Sequence, residues 1–471
     1  MQNDLIHGPV SKVLIKLTIP ILGSMFLSTL FSLVDAIWVG HSGVLALASV
    51  NMSSFAIWIM FALSGVITTG TNSLIANKLG EATKRPEAAQ EALEGVQLSL
   101  MAAILTGFLE FIVLYFWGRE ILGWMVGSKE DVAAIIDIGY SYLGMLAVFA
   151  PSVCINECIS AIMRAYGDTR TPLKIYSIGF VLNFILDPLF IFGLVGLPKL
   201  GALGAAVASN ISFALVCLLL IMKITRPGYL FMLPKTRPTK INWSYLGKVI
   251  AVGLPLSLAS IVFSVVYMSI APVISNFGPE AMAALGIGHR MESLNYTIRS
   301  GISLACITMI GQNLGAGQVA RAKKIAWVAM GWALCVSITV CTLFLTLPEL
   351  CASLFSNDKN VIATAAGYLQ IIAWSQPFAG ICGIAEGVFA GGRRTLPPMC
   401  VSIPCSLLRI PACYTMVFSL GYGISSIWWS LSLLTILRGS IVFAMFCAGW
   451  WLSKELKDKL VDSQSREAIP T

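Results

Sequence analysis

Residues 27–40 read Leu27-Ser28-Thr29-Leu30-Phe31-Ser32-Leu33-Val34-Asp35-Ala36-Ile37-Trp38-Val39-Gly40, a run suited to hydrocarbon that nonetheless carries a carboxylate. An aspartate near the middle of a membrane helix costs about 2.5–3.5 kcal/mol on insertion scales, so it implies a partner, a water-filled cavity or a task. Counting back from Asp35, Ser32, Ser28 and Ser24 recur at spacings of three and four. That spacing predicts one shared face, turned away from lipid. Two readings stay open on these residues. Either Asp35 caps or pairs within a bundle, or it lines a cavity as an ion or proton site with Ser28 and Ser32 beside it.

The rest of the chain supplies the bundle. Hydrophobic residues make up 57% of the 471 and charged residues 11%, which excludes a water-soluble globular class. The composition describes an all-α polytopic membrane protein. Twelve apolar runs are long enough to span, at 14–39, 46–76, 93–117, 132–163, 171–193, 202–222, 245–275, 281–311, 325–347, 361–390, 397–420 and 424–451. With the N-terminus inside, 23 of the 31 Lys and Arg fall on inner segments, whereas the outer loops hold Arg119, Lys129, Lys199 and Lys359. The positive-inside rule therefore predicts a plasma (inner) membrane protein with both termini cytoplasmic. The net charge of +8 is accounted for by cytoplasmic loops facing an anionic leaflet, without nucleic acid. The first apolar run lacks a small-residue cleavage site and is expected to remain in the mature chain. The 12 Cys form no CxxC pair, and His7, His41 and His289 are far apart in sequence. No metal site is expected, and Cys154 and Cys158 read as small packing residues.

The chain also repeats itself. A shift of 235 residues puts Pro20 on Pro255, Gly43 on Gly278, Ala46 on Ala281, Leu79 on Leu314 and Gly80 on Gly315. A shift of 226 puts Tyr142-Leu143 on Tyr368-Leu369 and Pro151 on Pro377. Six spans per copy make the repeats parallel, an arrangement typical of transporters with a site near the membrane midplane. The expected divisions are 1–222 for the first lobe, 223–248 for a cytoplasmic linker, 249–451 for the second lobe and 452–471 for a cytoplasmic tail. Pro20, Pro151, Pro188, Pro255, Pro272, Pro377 and Pro404 fall inside or at the ends of spans, and the matched pairs predict bends or hinges.

Three stretches carry a family resemblance. Gly311-Gln312-Asn313-Leu314-Gly315-Ala316-Gly317, Leu33 to Gly40, and Leu182-Asn183-Phe184-Ile185-Leu186-Asp187-Pro188 closely resemble signatures of the multidrug and toxic compound extrusion (MATE) family. Arg164-Ala165-Tyr166-Gly167-Asp168 is similar to the family's Arg-Gly-x-Gly-Asp turn, with Ala165 in place of one glycine. The resemblance covers nearly the whole chain. It implies two six-helix lobes in a V and export of amphipathic, cationic organic compounds or drugs, with inward H+ or Na+ as the coupling ion and no other cofactor. A small-molecule substrate and membrane lipid are the implied partners, and the chain is expected to act as a monomer. Asp35, Asn183, Asp187 and Tyr140 match the cation-coupling cluster of the DNA-damage-inducible branch, and Na+ at the first three is a possibility the resemblance leaves open. Asn183 and Asp187 are four residues apart, hence on one face.

Another branch carries acidic residues in the seventh and tenth spans. This chain has Phe263-Ser264 and Ala379 there, which favours the first lobe for coupling. Glu386 and Glu157 lie near cytoplasmic ends and read as gate or structural ion pairs, while Glu110 is expected to snorkel outward. Arg290, Arg299, Arg409 and Arg438 face only Glu292 and Glu386 as acidic partners. The four arginines and Glu386 are therefore cavity candidates; Arg290 and Arg409, where the resembling family often has arginine, are expected to pair internally, and Arg299 and Arg438 are open to an anionic substrate moiety. A lipid-linked saccharide flippase of the same superfamily is the alternative function. An enzyme is not expected, since no HExxH, GxSxG or GxxxxGK[ST] pattern occurs.

Overall fold

In hydrocarbon every backbone N–H and C=O must be satisfied within the chain, so long apolar runs become helices. The computed structural model describes residues 2–41, 44–126, 132–226 and 243–454, and no strand occurs among them. Most of the expected 223–248 linker and of the 452–471 tail lies outside these residues. In order, the helices of the first half are α1 (Gln2–His7), α2 (Val10–Gly40), α3 (Val44–Glu81), α4 (Glu87–Val126), α5 (Val132–Val148), α6 (Ala150–Ala165), α7 (Arg170–Phe192) and α8 (Ala202–Ile224). Those of the second half are α9 (Trp243–Ser275), α10 (Pro279–Gly315), α11 (Val319–Thr346), α12 (Pro348–Ser353), α13 (Lys359–Ala373), α14 (Gln376–Gly391), α15 (Leu396–Leu407), α16 (Arg409–Tyr414) and α17 (Ser425–Cys447). Residues 415–419 form a π-helical turn after α16.

Twelve spanning runs were expected, and the structure divides them less evenly. Among the described residues nine helices are long and apolar enough to cross a membrane, and a tenth traverse is the bent pair α5–α6. The other two places in the chain order are held by α10, whose length carries Glu280, His289, Arg290, Glu292 and Arg299, and by the broken pair α13–α14. These depart from the apolar pattern because they carry polar groups or breaks.

The breaks repeat. The axis turns by 51° between α5 and α6 at Phe149, ahead of Pro151. There Phe149 N donates to Leu146 O at 3.1 Å and Val153 N to Phe149 O at 3.1 Å. In the second half Ser375 N donates to Ile372 O at 3.0 Å and Ala379 N to Ser375 O at 2.9 Å, ahead of Pro377. Proline has no N–H to offer the preceding turn, so one tightened turn takes up the defect at both places. By contrast, the helix continues through Pro20 and Pro255.

The turns that follow repeat too. After α6, Gly167 adopts φ 88°, with Gly167 N on Arg164 O at 2.7 Å and Asp168 N on Met163 O at 2.9 Å. Asp168 Oδ1 then accepts from Arg170 N at 3.1 Å and Thr171 N at 3.0 Å, which satisfies free donors at the start of α7. After α14, Arg393 takes φ 59° at the repeat-related position, with Arg394 N on Phe389 O at 2.8 Å. Left-handed backbone is costly for any residue with a Cβ, which accounts for the glycine in the first copy.

The chain divides into two compact units, Ile19–Gly253 and Asn3–Thr18 with the described residues from Leu254 onward. Both joins differ from the expected lobes. The start of α9 packs in the first unit, with Leu246 and Val249 in a core that includes Ile75, Val96, Ile159, Ile162 and Leu220. The first residues of the chain pack in the second unit, where Leu5 and Ile6 are buried. Asn313 Nδ2, in the Gly311–Gly317 stretch, donates to Leu5 O at 3.1 Å, and Arg321 donates to Gly8 O. Lys16 Nζ bonds Asp4 at 3.2 Å and holds its carboxyl below the ordinary range. The sequence-level division missed these joins because hydropathy marks where spans start, not which bundle packs them.

Candidate functional site

Three helices of the first unit bring the polar groups together. Asp35 of α2 is 7% exposed, Asn183 and Asp187 of α7 are fully buried, and Ser209 of α8 is 1% exposed. Ser209 Oγ donates to Asp35 Oδ2 at 3.1 Å, and Asn183 Nδ2 donates to Asp187 Oδ1 at 3.1 Å and to Ser209 Oγ at 3.3 Å. The four-residue spacing on α7 stacks Asn183 over Asp187. Gly204 lets α8 lie against the backbone of α7 at Phe190, where a Cβ would come within 2.6 Å of its carbonyl.

Asp35 and Asp187 lie within hydrogen-bonding reach of each other. Asp35 Oδ1, Asn183 Oδ1 and Asp187 Oδ2 are buried and have no hydrogen-bond partner among the described residues. Two carboxylates at such a distance cannot both stay ionised in a low-dielectric interior without a shared positive charge. A proton or one hard monovalent cation supplies that charge, and oxygen atoms are the donors such a cation takes. The arrangement therefore suits exchange of a small cation.

Other expected members stand apart. Tyr140 Oη donates to Tyr115 O at 2.9 Å, outside the cluster. The tyrosine in electrostatic reach of both Asp35 and Asp187 is Tyr142, two residues on and 4% exposed. A shift of two along a helix turns the side chain by about 200°, so only one of the pair can face the site. Ser28 and Ser32 are exposed, and Ser32 Oγ bonds Ser28 O at 3.4 Å instead of reaching Asp35. Their place beside Asp35 is taken by Ser209, signalled in sequence only by the polar pair Ser209-Asn210 within an apolar run.

Glu110 does not snorkel. It is 3% exposed and accepts from Ser64 Oγ at 3.3 Å and Cys154 Sγ at 3.2 Å, so Cys154 is more than packing. Glu157 accepts from Tyr176 Oη at 3.1 Å.

In the second unit the arginines do not converge on one point. Arg290 is exposed, 6.0 Å over the Phe355 ring. Arg299 Nη1 donates to Ala379 O at 2.8 Å and its guanidinium lies 4.9 Å over Tyr296. Arg409, 3% exposed, donates to Thr435 Oγ1 at 2.8 Å and sits over Phe263 at 5.4 Å and Tyr267 at 5.8 Å. Arg438 lies in electrostatic reach of Cys382 and Glu386, and Cys382 Sγ meets Glu386 Oε1 at 3.4 Å. Glu292 pairs with neither Arg290 nor Arg409 directly; it accepts from Tyr368 Oη at 3.2 Å and Gln376 Nε2 at 2.9 Å. Gln376 in turn accepts from Asn295 at 2.8 Å.

Comparison with known proteins is consistent across the chain. The MatE family model matches twice, over residues 20–189 and 255–415, starting at the two repeat-related prolines. The chain is 28% identical to the probable multidrug resistance protein NorM of Thermotoga maritima, over 94% of this chain and 93% of that one. It is 25% identical to the FAD transporter of Shewanella oneidensis, over 93% of this chain and 94% of that protein. Among solved structures, MATE in the bent conformation superposes with a TM-score of 0.86 at 21% identity, covering 98% of this chain and 99% of the other. An outward-facing multidrug resistance MATE transporter of the MOP superfamily gives 0.83 at 21% identity, covering 94% and 96%. These structural matches bear on the fold.

Proposed function

Because this chain belongs to the MatE family, we propose that it is a secondary active antiporter that exports amphipathic, cationic organic compounds in exchange for an inward cation. The cation is bound in the first unit by Asp35 and Asp187, with Asn183 and Ser209 as the hydrogen-bonding frame. One observation carries the reading. Two buried carboxylates within hydrogen-bonding reach, joined through Ser209 and Asn183, leave three buried oxygens without a donor. A group used in exchange must hold its ion in one state and release it in another, so its affinity has to change with its surroundings. Carboxylates do this because desolvation and neighbours set their charge. The names of the multidrug resistance relatives support the substrate class.

The test uses purified protein in vesicles loaded with a fluorescent cationic dye, under an imposed pH gradient and, separately, an imposed Na+ gradient. Dye movement driven by one of the two is the expected result and identifies the ion. Absence of movement under both, with folded protein, overturns the reading.

A further inference from the structure

The geometry points to a second proton-binding site in the first unit, at Glu110, with the Ser64 hydroxyl and the Cys154 thiol as its hydrogen-bonding partners. Glu110 lies on α4 between α3 and α6, is 3% exposed, and meets Ser64 Oγ at 3.3 Å and Cys154 Sγ at 3.2 Å. Ser64 and Cys154 also touch each other at 2.9 Å, closing a triangle. Among the described residues no ion pair joins Glu110 to a cation. From α3 the Ser64 hydroxyl faces it. From α6 comes Cys154, and Glu157 acts electrostatically on that thiol. On α5, Tyr140 packs against the core that holds Leu114 of α4 and is itself engaged with Tyr115 O.

Burial penalises the carboxylate, while two donors aimed at its oxygens favour it, and no fixed cation locks either form. Such a group holds and releases a proton as its surroundings change. The surroundings here include a break in the helix. Gly107, three residues before Glu110 on α4, packs its backbone against Pro151, and a Cβ there would run into Pro151 Cα. Cys154 follows three residues later on α6, so any change in the 51° bend moves the thiol relative to the carboxyl. The repeat-related places argue against a shared packing motif. The shifts of 235 and 226 put Arg299 at the position of Ser64 and Gly380 at that of Cys154, and Arg299 bonds a backbone carbonyl.

The site stands apart from the role given to Asp35, and the test keeps the two separate. Full-length Asp35→Asn/Asp187→Asn protein in lipid vesicles is examined by infrared difference spectroscopy between acid and alkaline buffer. The expected result is a protonated-carboxyl C=O band that appears on acidification and is lost when Glu110→Gln is added. Cys154→Ala and Ser64→Ala should each move that band toward the frequency of a carboxyl with fewer hydrogen bonds. Spectra unchanged by Glu110→Gln, or a Glu110 band of equal size at both pH values, would make the residue a permanently neutral packing group and overturn the proposal. If Glu110→Gln does not fold, bands unmoved by Cys154→Ala overturn it equally.

Discussion

At the residue scale, few donors reach the carboxylates of the first unit. Ser209 Oγ is the donor on Asp35 Oδ2. A hydrogen bond to a charged group is worth about 1.5–3 kcal/mol. Ser209→Ala is therefore expected to move the half-saturating concentration of the coupling ion by about ten- to a hundredfold without abolishing transport; an unmoved value would remove Ser209 from the site. Arg438 calls for the opposite pattern. It reaches Glu386 and Cys382 but forms no ion pair within 4 Å among the described residues, and its Nε is buried without a partner. Arg438→Ala should change which compounds are exported more than it changes ion coupling, measured as relative rates for several dyes at one gradient. Equal loss for every dye in folded protein would make Arg438 structural. Asp35 stands out in the sequence as a carboxylate in an apolar run, the family resemblance adds Asn183 and Asp187, and the folded helices bring the three together. The sequence does not reveal Ser209 or separate Tyr142 from Tyr140, because helix rotation within the bundle depends on packing between segments far apart in the chain. Glu110 misleads for the same reason: position along a span says how deep a residue lies, not whether a serine and a cysteine on other helices wait for it.

At the scale of elements, the breaks and turns matter more than the spans. The two halves share a one-turn defect ahead of Pro151 and Pro377, and a left-handed residue after α6 and α14. The repeat is legible in sequence, as are the prolines. Which proline breaks its helix is not, since the backbone runs on through Pro20 and Pro255. Neighbouring helices decide whether a missing hydrogen bond opens the chain or is absorbed. Gly167 gives a direct test of the turn. With φ at 88°, Gly167→Ala should destabilise the protein by about 1–2 kcal/mol, seen as a lower thermal midpoint, while Gly247→Ala at an exposed position of α9 should raise the midpoint slightly. Equal midpoints for wild type and Gly167→Ala would show that the turn tolerates a Cβ.

At the scale of the molecule, the distribution of charge fixes the expected orientation. In a cysteine-free background, a cysteine placed in the 227–242 segment should react with an impermeant reagent only from the cytoplasmic side, and one between Gly193 and Gly201 only from outside. Reversed labelling would invert the direction of exchange. The central claim is that Asp35, with Asp187, carries the coupling ion. Asn keeps the size and much of the hydrogen bonding of Asp but cannot titrate or supply a full charge to a cation. The most direct measurement is gradient-driven dye export by Asp35→Asn beside wild type in matched vesicles, with dye binding recorded on the same preparations. Asp35→Asn is expected to fold, bind the dye and fail to move it under the gradient, whereas export at the wild-type rate would place the coupling ion elsewhere.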